Sequence, residues 1–454
     1  MKMQENQNKF EQLREKYPYL TYETFTVSDE KFQYSIRFHF NLSGKEQFYP
    51  LLIIPKQRIG KLSEDTWNTL AFHLGMVELI SYWKAAASPT VYIKPYHLNE
   101  NQINWWKKLY FHGLGEFFHQ NGIDTDQSSF MDLVSFSEHF LPQARPELDD
   151  NTILIPMGGG KDSAVTLELL KDQGFNVVPV AINPRPAILE TLDSAGLERR
   201  MLVRAERTID PHLLELNEQG FLNGHTPFSA LVAFASLIFA SLTGSKHIVL
   251  SNESSANEAT IPGTHINHQY SKSFEFEKDF RAYYAKYISA DFNYFSFLRP
   301  LNELQIASLF SRFKNHFPTF KSCNRGSKDN VWCGECSKCL FTGIILSPFV
   351  GRGAQEKIFG KDLLNDKSLA PLFDQLTGLN PEKPFECVGT IDEVNTALHE
   401  ALASWQKPHP ALLEHYKQRK TQKAGTFNDL MHQIDNHHFL SDRFFNILKK
   451  ALNE

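Results

Sequence analysis

Six residues, Gly158-Gly159-Gly160-Lys161-Asp162-Ser163, separate a strand-like segment from a helix-like segment and constrain the fold more than any other stretch. The preceding residues 153–157 are apolar and short, as in a buried strand, and the following residues 164–170 have a helical pattern that Gly174 ends. Consecutive glycines let the backbone approach a ligand closely. The start of a helix presents free N–H groups and the positive end of its dipole. We therefore predict an anion-binding loop, suited to phosphate, within an α/β fold.

The spacing of this run excludes two common phosphate-binding loops. A Walker A loop requires glycine at Ile155 and Ser or Thr at Asp162, and a dinucleotide-binding G-x-G-x-x-G loop requires glycine at Ser163. The run instead resembles the S-G-G-x-D-S loop of the N-type ATP pyrophosphatases, with Gly158 in place of the first serine. That resemblance implies an adenine nucleotide alpha hydrolase-like (PP-loop) core that cleaves ATP between the α and β phosphates. A tight strand-to-helix turn without a ligand is the alternative.

Length and charge limit the classes of protein that the chain can belong to. With 454 residues it exceeds the usual size of a single core, so two or three domains are expected. A net charge of −5 and a pI near 6.4 disfavour a nucleic-acid partner. The N-terminus lacks a secretory signal, and the most apolar stretch, 228–242, is too short to cross a bilayer. We expect a cytoplasmic protein with no membrane partner; the oligomeric state is left open.

The pattern along the chain predicts three regions. Residues 1–148 mix strand-like and helical segments and predict an N-terminal α+β domain. Residues 149–350 alternate strand and helix, which is typical of a parallel sheet with crossover helices and predicts the PP-loop ATP pyrophosphatase domain. Residues 351–454 predict a mostly helical region. The expected strands are 34–40, 51–55, 153–157, 177–182, 200–204 and 247–251; the expected helices are near 70–83, 102–118, 187–195 and 228–242, with a connector at 143–151.

A second polar cluster follows the last of these strands. Ligands of parallel α/β sheets bind beyond the carboxyl ends of the strands, so Asn252 and Glu253 are expected to face the same pocket as the glycine loop. Magnesium bound with ATP prefers one or two carboxylates plus phosphate oxygens, which Asp162 with Glu253 or Glu258 would supply. A solvated polar loop is the alternative. The predicted nucleotide-binding residues are Gly158, Gly159, Gly160, Lys161, Asp162, Ser163, Asn252 and Glu253.

Four of the five cysteines form a C-x9-C-x2-C-x2-C array, Cys323, Cys333, Cys336 and Cys339. This spacing suits tetrahedral thiolate coordination of zinc, and four protein ligands leave no open position for a substrate. We therefore predict a structural Zn²⁺ site within the segment 323–339. A redox Cys-x-x-Cys pair and an iron–sulfur cluster are the alternatives.

Several other side chains each have a structural and a functional interpretation. Lys161 would neutralise charge on the transferring phosphorus. Arg299 and Arg325 either bind a phosphate or carboxylate or form structural ion pairs. Cys387 is either a buried inert thiol or a thiolate base. His225 either has a structural role before the apolar helix or faces the pocket.

Together these segments resemble one bacterial family, the UDP-N-acetylmuramoyl-L-alanyl-L-glutamate epimerases (MurL). The resemblance rests on the glycine loop, Asn223-Gly224-His225, the stretch 251–273 and the four-cysteine segment. It implies inversion of the terminal L-glutamate of UDP-MurNAc-L-Ala-L-Glu in peptidoglycan precursor synthesis. The implied route needs ATP and Mg²⁺, passes through an acyl-adenylate, and releases AMP and pyrophosphate. The proton carriers stay unassigned, and the candidates are, in falling order, His268, Lys272, His225 and Cys387.

Three other functions stay open at this point. A relative of 7-cyano-7-deazaguanine synthase would share the phosphate loop and a four-cysteine zinc site, although the long region before the loop argues against it. A tRNA-modifying enzyme would need a basic groove and a sulfur-carrying cysteine. A nonenzymatic zinc-clamped module for protein or RNA binding would show no ATP turnover, and the acidic pI disfavours RNA.

Overall fold

The computed structural model describes residues 2–258, 267, 269–380, 382–418 and 426–454. The strands within these ranges are β1 (Tyr19–Asp29), β2 (Gln33–Leu42), β3 (Glu46–Phe48), β4 (Leu51–Pro55), β5 (Thr90–Ile93), β6 (Asp132–Ser135), β7 (Asp149–Pro156), β8 (Asn176–Ile182), β9 (Val203–Thr208), β10 (Ser245–Leu250) and β11 (Asn293–Ser296).

The α-helices of the same ranges lie between and after these strands. They are α1 (Lys2–Lys16), α2 (Glu64–Trp83), α3 (Glu100–Gly113), α4 (Gly115–Gln120), α5 (Lys161–Leu170), α6 (Pro186–Ser194), α7 (Pro211–Glu218), α8 (Phe228–Thr243), α9 (Phe274–Tyr287), α10 (Glu303–Arg312), α11 (Ser337–Leu346), α12 (Arg352–Phe359), α13 (Ala370–Leu376), α14 (Ile391–Ser404), α15 (Ala411–Lys417), α16 (Phe427–His432) and α17 (Asp442–Asn453).

The described strands form one mixed, mostly parallel sheet, which confirms the α/β class. Its order is β11-β10-β7-β8-β9-β4-β2-β1-β5-β6, with β3 paired to β2. The parallel half, β11 to β9, meets the other half where β4 pairs with β9 in antiparallel register, Leu52 opposite Arg207. The strands before residue 149 therefore continue the same sheet. The boundaries of the three predicted regions remain a prediction.

The direction in which the chain crosses the sheet reverses at β7. From β7 the chain passes through α5 to β8 on one side, and later it passes through α8 to β10 on the other side. Such a reversal leaves a crevice beyond the carboxyl ends of the strands. Because β7 ends at Pro156, the glycine loop lies directly at that crevice.

Two apolar helices form much of the core behind the crevice. α8 packs against α2, β7 and β10, and both helices are buried along most of their length. α8 ends at Gly244, whose φ of +68° is a left-handed conformation that glycine adopts without strain. The predicted helix at 228–242 is thus confirmed as a core helix. No helix in the described ranges is both long and apolar enough to cross a bilayer.

Several expected elements differ from the structure in their bounds; the helix expected near 70–83 already begins at Glu64. The strand expected at 200–204 begins only at Val203, after a short 3-10 turn. The helix expected at 102–118 is two helices separated at Leu114. The helices meet where Gly113 lies so close to Pro227 that an added Cβ would be 2.7 Å from its ring. The connector expected at 143–151 ends early, because Asp149 to Asn151 already belong to β7.

The region after residue 350 is helical, as expected, and packs on the parallel half of the sheet. Phe444 of α17 stacks on Phe175, with ring centroids 5.1 Å apart, and α17 packs along α5. α14 packs against α11 and α10. The loop before α14, residues 382–390, contacts Glu258 and Lys272 after β10.

Candidate functional site

A cavity of about 360 Å³ lies at the carboxyl ends of β7, β8 and β10. Its walls are the glycine loop, the first turns of α8, the segment after β10, and the chain around Cys323. Eight site residues predicted from the sequence line it: Gly158, Gly160, Asp162, Ser163, Asn252, Glu253, Lys272 and Cys323.

The glycine loop opens α5 toward this cavity. Gly160 is the N-cap residue, and no side chain caps the helix there among the described residues. Gly159 has φ of +76° and accepts a hydrogen bond of 2.8 Å from the backbone N–H of Lys321. A Cβ on Gly160 would come within 2.7 Å of Ser322 Oγ, whereas one on Gly158 would meet nothing within 4 Å. The N–H groups of the first helical turn therefore point at an open, glycine-lined space, which suits an anion.

Lys161 lies behind the loop in a buried ion-pair network. Its ammonium group contacts the carboxylates of Asp162 and Glu303, and the Lys161 and Glu303 side chains are only 4% and 5% exposed. Burial alone would lower the pKa of Lys161, but the two carboxylates outweigh it and raise that pKa. Lys161 therefore carries a permanent positive charge beside the glycine loop.

The carboxylates of Asp162 and Glu253 both line the cavity. Burial, and secondarily the charge of Asp162, raises the pKa of Glu253, while Lys272 and Lys161 oppose the rise. Asn252 is held by a 3.1 Å hydrogen bond from Nδ2 to Ser296 Oγ. The other predicted carboxylate, Glu258, pairs instead with Lys383 and does not line the cavity.

Arg299 fixes the backbone beneath these groups. It is fully buried, and it donates to the carbonyl oxygens of Glu253 (2.6 Å) and Lys272 (2.5 Å) and to the carboxylate of Glu277 (3.1 Å). Arg299 therefore forms a structural ion pair with Glu277, and this is one of the two roles that the sequence left open for it. Arg325, by contrast, is exposed on a short 3-10 turn.

The predicted proton carriers lie in different places. Lys272 lines the cavity, and its Nζ is 3.2 Å from Cys387 Sγ. His225 is not among the lining residues, and its Nδ1 is 3.6 Å from a carboxylate oxygen of Glu116. His268 lies outside the described residues.

The four cysteines Cys323, Cys333, Cys336 and Cys339 converge, with all four sulfurs within 4.8 Å of one another. Neighbouring sulfurs are 3.5 to 3.8 Å apart. A tetrahedron with Zn–S bonds of about 2.3 Å has edges of about 3.8 Å, so the cluster fits a metal such as structural zinc. Backbone N–H groups of Gly326 and Glu335 point at two of the sulfurs, at 3.1 and 3.4 Å. Because Cys323 also lines the cavity, such a metal would brace one of its walls.

Sequence reasoning missed two buried carboxylates of the site. Glu303 pairs with Lys161, and Glu393 accepts hydrogen bonds from the backbone N–H groups of Glu303 (2.8 Å) and Thr390 (2.6 Å). The pattern Thr390-x-x-Glu393 is a capping box, which identifies a helix start in the sequence. No sequence pattern near Glu393 indicates that its carboxylate also accepts a hydrogen bond from the first residue of α10.

Comparison with known proteins gives one family for nearly the whole chain. The family model of the MurL N-terminal domain matches residues 11–297, and that of the MurL C-terminal domain matches residues 319–430. The first match contains the glycine loop and Lys272, and the second contains the four cysteines and Cys387.

Three curated proteins named UDP-N-acetyl-alpha-D-muramoyl-L-alanyl-L-glutamate epimerase are similar to the chain. The one from Xanthomonas oryzae pv. oryzae is 35% identical over 72% of this chain and 72% of its own length. The one from a Micromonospora species is 35% identical over 78% of this chain and 80% of its own length. The one from Salinispora tropica is 33% identical over 78% of each chain.

Proposed function

This chain belongs to the MurL family, and we propose on that premise that it inverts the terminal L-glutamate of UDP-MurNAc-L-Ala-L-Glu with ATP and magnesium. It is an epimerase by its family, and its relatives' names give the UDP-muramoyl dipeptide as their substrate. The single observation that supports the use of ATP is the open glycine loop at the start of α5, with Lys161 behind it and Asp162 and Glu253 in front.

The first step of the proposed reaction transfers AMP to the glutamate carboxylate. The N–H groups of the loop and the positive end of α5 would hold the departing pyrophosphate. The permanent charge of Lys161 would stabilise negative charge that develops on the phosphates. We assign Asp162 and Glu253 as magnesium ligands, because both line the cavity beside the glycine loop and Glu258 does not. The metal would supply charge neutralisation at the phosphate oxygens.

The adenylate explains why an epimerase needs ATP. A proton next to a free carboxylate is hard to remove because a dianion results. An acyl-adenylate is a much better electron acceptor, and the carbanion is delocalised as an enolate. A base then removes the proton, another acid returns it on the opposite face, and water releases AMP. His268, Lys272, His225 and Cys387 stay the candidates for these transfers.

The experiment that tests this proposal combines two readouts. The purified protein is incubated in heavy water with ATP, Mg²⁺ and the UDP-linked L-Ala-L-Glu precursor, and AMP, pyrophosphate and deuterium at the glutamate α-carbon are measured. We expect AMP formation that depends on the dipeptide and is accompanied by deuterium uptake. Asp162→Asn should lose pyrophosphate release, whereas Asp172→Asn, an exposed residue beyond the end of α5, is the matched control. Epimerisation without nucleotide consumption would disprove the proposal.

Capture of the adenylate by ammonia, as in a 7-cyano-7-deazaguanine synthase relative, is not favoured. All three curated relatives carry the epimerase name. In the experiment above, AMP formation without deuterium uptake would support that alternative.

A further inference from the structure

Cys387 and Lys272 form a contact that joins the two family-matched parts of the chain. Lys272 closes a short 3-10 turn, Tyr270–Lys272, and lines the cavity. Cys387 lies on the loop between α13 and α14, 115 residues later, with its sulfur 3.2 Å from Lys272 Nζ. The loop of the C-terminal part thus places a sulfur against Lys272, which lines the cavity, while Cys387 itself is not among the lining residues.

This loop is held in place by contacts on both sides of Cys387. Lys383 donates to the carbonyl oxygen of Gly389 (2.9 Å) and pairs with Glu258. Gln269 donates to the carbonyl oxygen of Val388 (3.5 Å), and Glu393 binds the Thr390 N–H. These contacts fix the backbone on both sides of Cys387, as a proton carrier requires.

Two charged groups face Cys387: the Lys272 ammonium, 3.2 Å from its sulfur, attracts a thiolate, and the Glu253 carboxylate repels one. The charge of Cys387 is the largest contribution to the raised pKa of Lys272, ahead of the opposing effect of burial, with Glu253 and Asp162 contributing in the same direction. Lys272 is therefore an ammonium group at the pH of the cell. A neighbouring ammonium stabilises a thiolate, and the thiolate is the form of cysteine that accepts a proton.

We propose that Cys387 is the base that removes the glutamate α-proton and that Lys272 is the positioning residue that keeps its sulfur ionised. This inference deepens the proposed function and rests on it. In the step, the Cα–H bond breaks, an S–H bond forms on Cys387, and the electron pair moves into the carbonyl of the adenylate as an enolate. An acid or water on the opposite face returns a proton to Cα, and the thiol then loses its proton to solvent. Cys387 is consequently a catalytic residue that acts on only one face of the glutamate α-carbon.

The first test separates adenylation from proton transfer. In the full-length chain with ATP, Mg²⁺ and the dipeptide precursor, Cys387→Ser and Cys387→Ala should keep dipeptide-dependent AMP formation. Epimerisation should fall about 10² to 10⁴ fold, the usual contribution of a general base. Deuterium exchange at the glutamate α-carbon should be lost when the reaction starts from the L-Glu precursor, from the D-Glu precursor, or from both. Glu382→Gln, an exposed side chain of the same loop, is the matched control and should epimerise within about threefold of the wild type, a change much smaller than loss of a general base.

The second test needs no substrate, so its failure differs from failure of the proposed function. The rate of Cys387 alkylation by iodoacetamide is followed against pH by peptide mass spectrometry. Lys272→Gln should move the midpoint to higher pH by about one unit, because the thiolate loses its positive neighbour. Lys272→Arg should restore the wild-type midpoint. Unchanged midpoints in Lys272→Gln, or epimerisation within about threefold of the wild type in Cys387→Ser, would overturn the assignment.

Discussion

Lys161 and Glu303 are 142 residues apart in the sequence and form a buried ion pair directly behind the glycine loop. Glu303 is the first residue of α10, and Lys161 is the first residue of α5. The pair therefore connects the starts of α5 and α10. The start of α5 opens toward the cavity.

We expect Glu303→Gln to destabilise the protein. The substitution removes one of the two carboxylates around a buried ammonium group, so the free energy of unfolding in urea should fall by about 1–3 kcal/mol. Glu198→Gln breaks an exposed pair with Arg200 and serves as the control, with no measurable change expected. Equal stability of Glu303→Gln and the wild type would show that the pair contributes nothing.

Two adjacent glycines of the loop should respond differently to substitution. Gly159 has φ of +76°, and a Cβ there would lie 3.0 Å from the Cβ of Ala187. Gly159→Ala should therefore lower the free energy of unfolding by about 1–2 kcal/mol and weaken ATP binding. Gly158→Ser introduces the serine of the pyrophosphatase loop where nothing lies within 4 Å, and it should be tolerated. Thermal unfolding and the KM for ATP measure both effects; similar losses in the two variants would argue against this loop geometry.

Metal content should depend on the cysteine cluster and not on Cys387. Cys336→Ser is expected to abolish binding of one zinc per chain, measured by elemental analysis, and to lower the melting temperature, because a four-thiolate site contributes folding energy. Nucleotide affinity should fall as well, since Cys323 lines the cavity. Cys387→Ser is the matched control and should keep its zinc. Full stability after chelation would rule out a structural metal.

The core histidine His73 should make stability depend on pH. Burial lowers its pKa to about 4, although its hydrogen bond to the Thr69 carbonyl opposes this. Between pH 6.5 and 4, His73 is therefore mostly protonated in the unfolded chain and mostly neutral in the folded chain. The stability that neutral His73 supplies is present above pH 6.5 and is lost as the pH falls, by about 3 kcal/mol at pH 4.

Urea unfolding at several pH values tests this expectation. The variant His73→Gln should show a flatter pH dependence than the wild type between pH 4 and 6.5. His437→Gln replaces an exposed histidine and should keep the wild-type slope. Parallel curves for His73→Gln and the wild type would contradict the assignment.

Much of the parallel half of the sheet could be predicted from local patterns. The short apolar run before Gly158 and the apolar helix before Gly244 were placed to within a few residues, because strand and helix periodicity and glycine positions are local signals. The four cysteines were identified by spacing alone, and the structure brings their sulfurs together. The family resemblance, carried by the same segments, is confirmed by the two family models. The PP-loop assignment, the domain boundaries and the roles of the site residues stay predictions.

The sequence by itself determined the α/β class, the glycine loop between strand and helix, the cysteine cluster and the family. Only the tertiary structure decided which distant side chains contact the residues of the site: Glu303 behind Lys161, Arg299 under Glu253, and Cys387 beside Lys272. The physical reason is that these contacts form between elements 46 to 142 residues apart, where packing of whole helices, and not the local chain, sets the direction of each side chain. A buried charge needs a partner, but the sequence does not say where in the fold that partner lies.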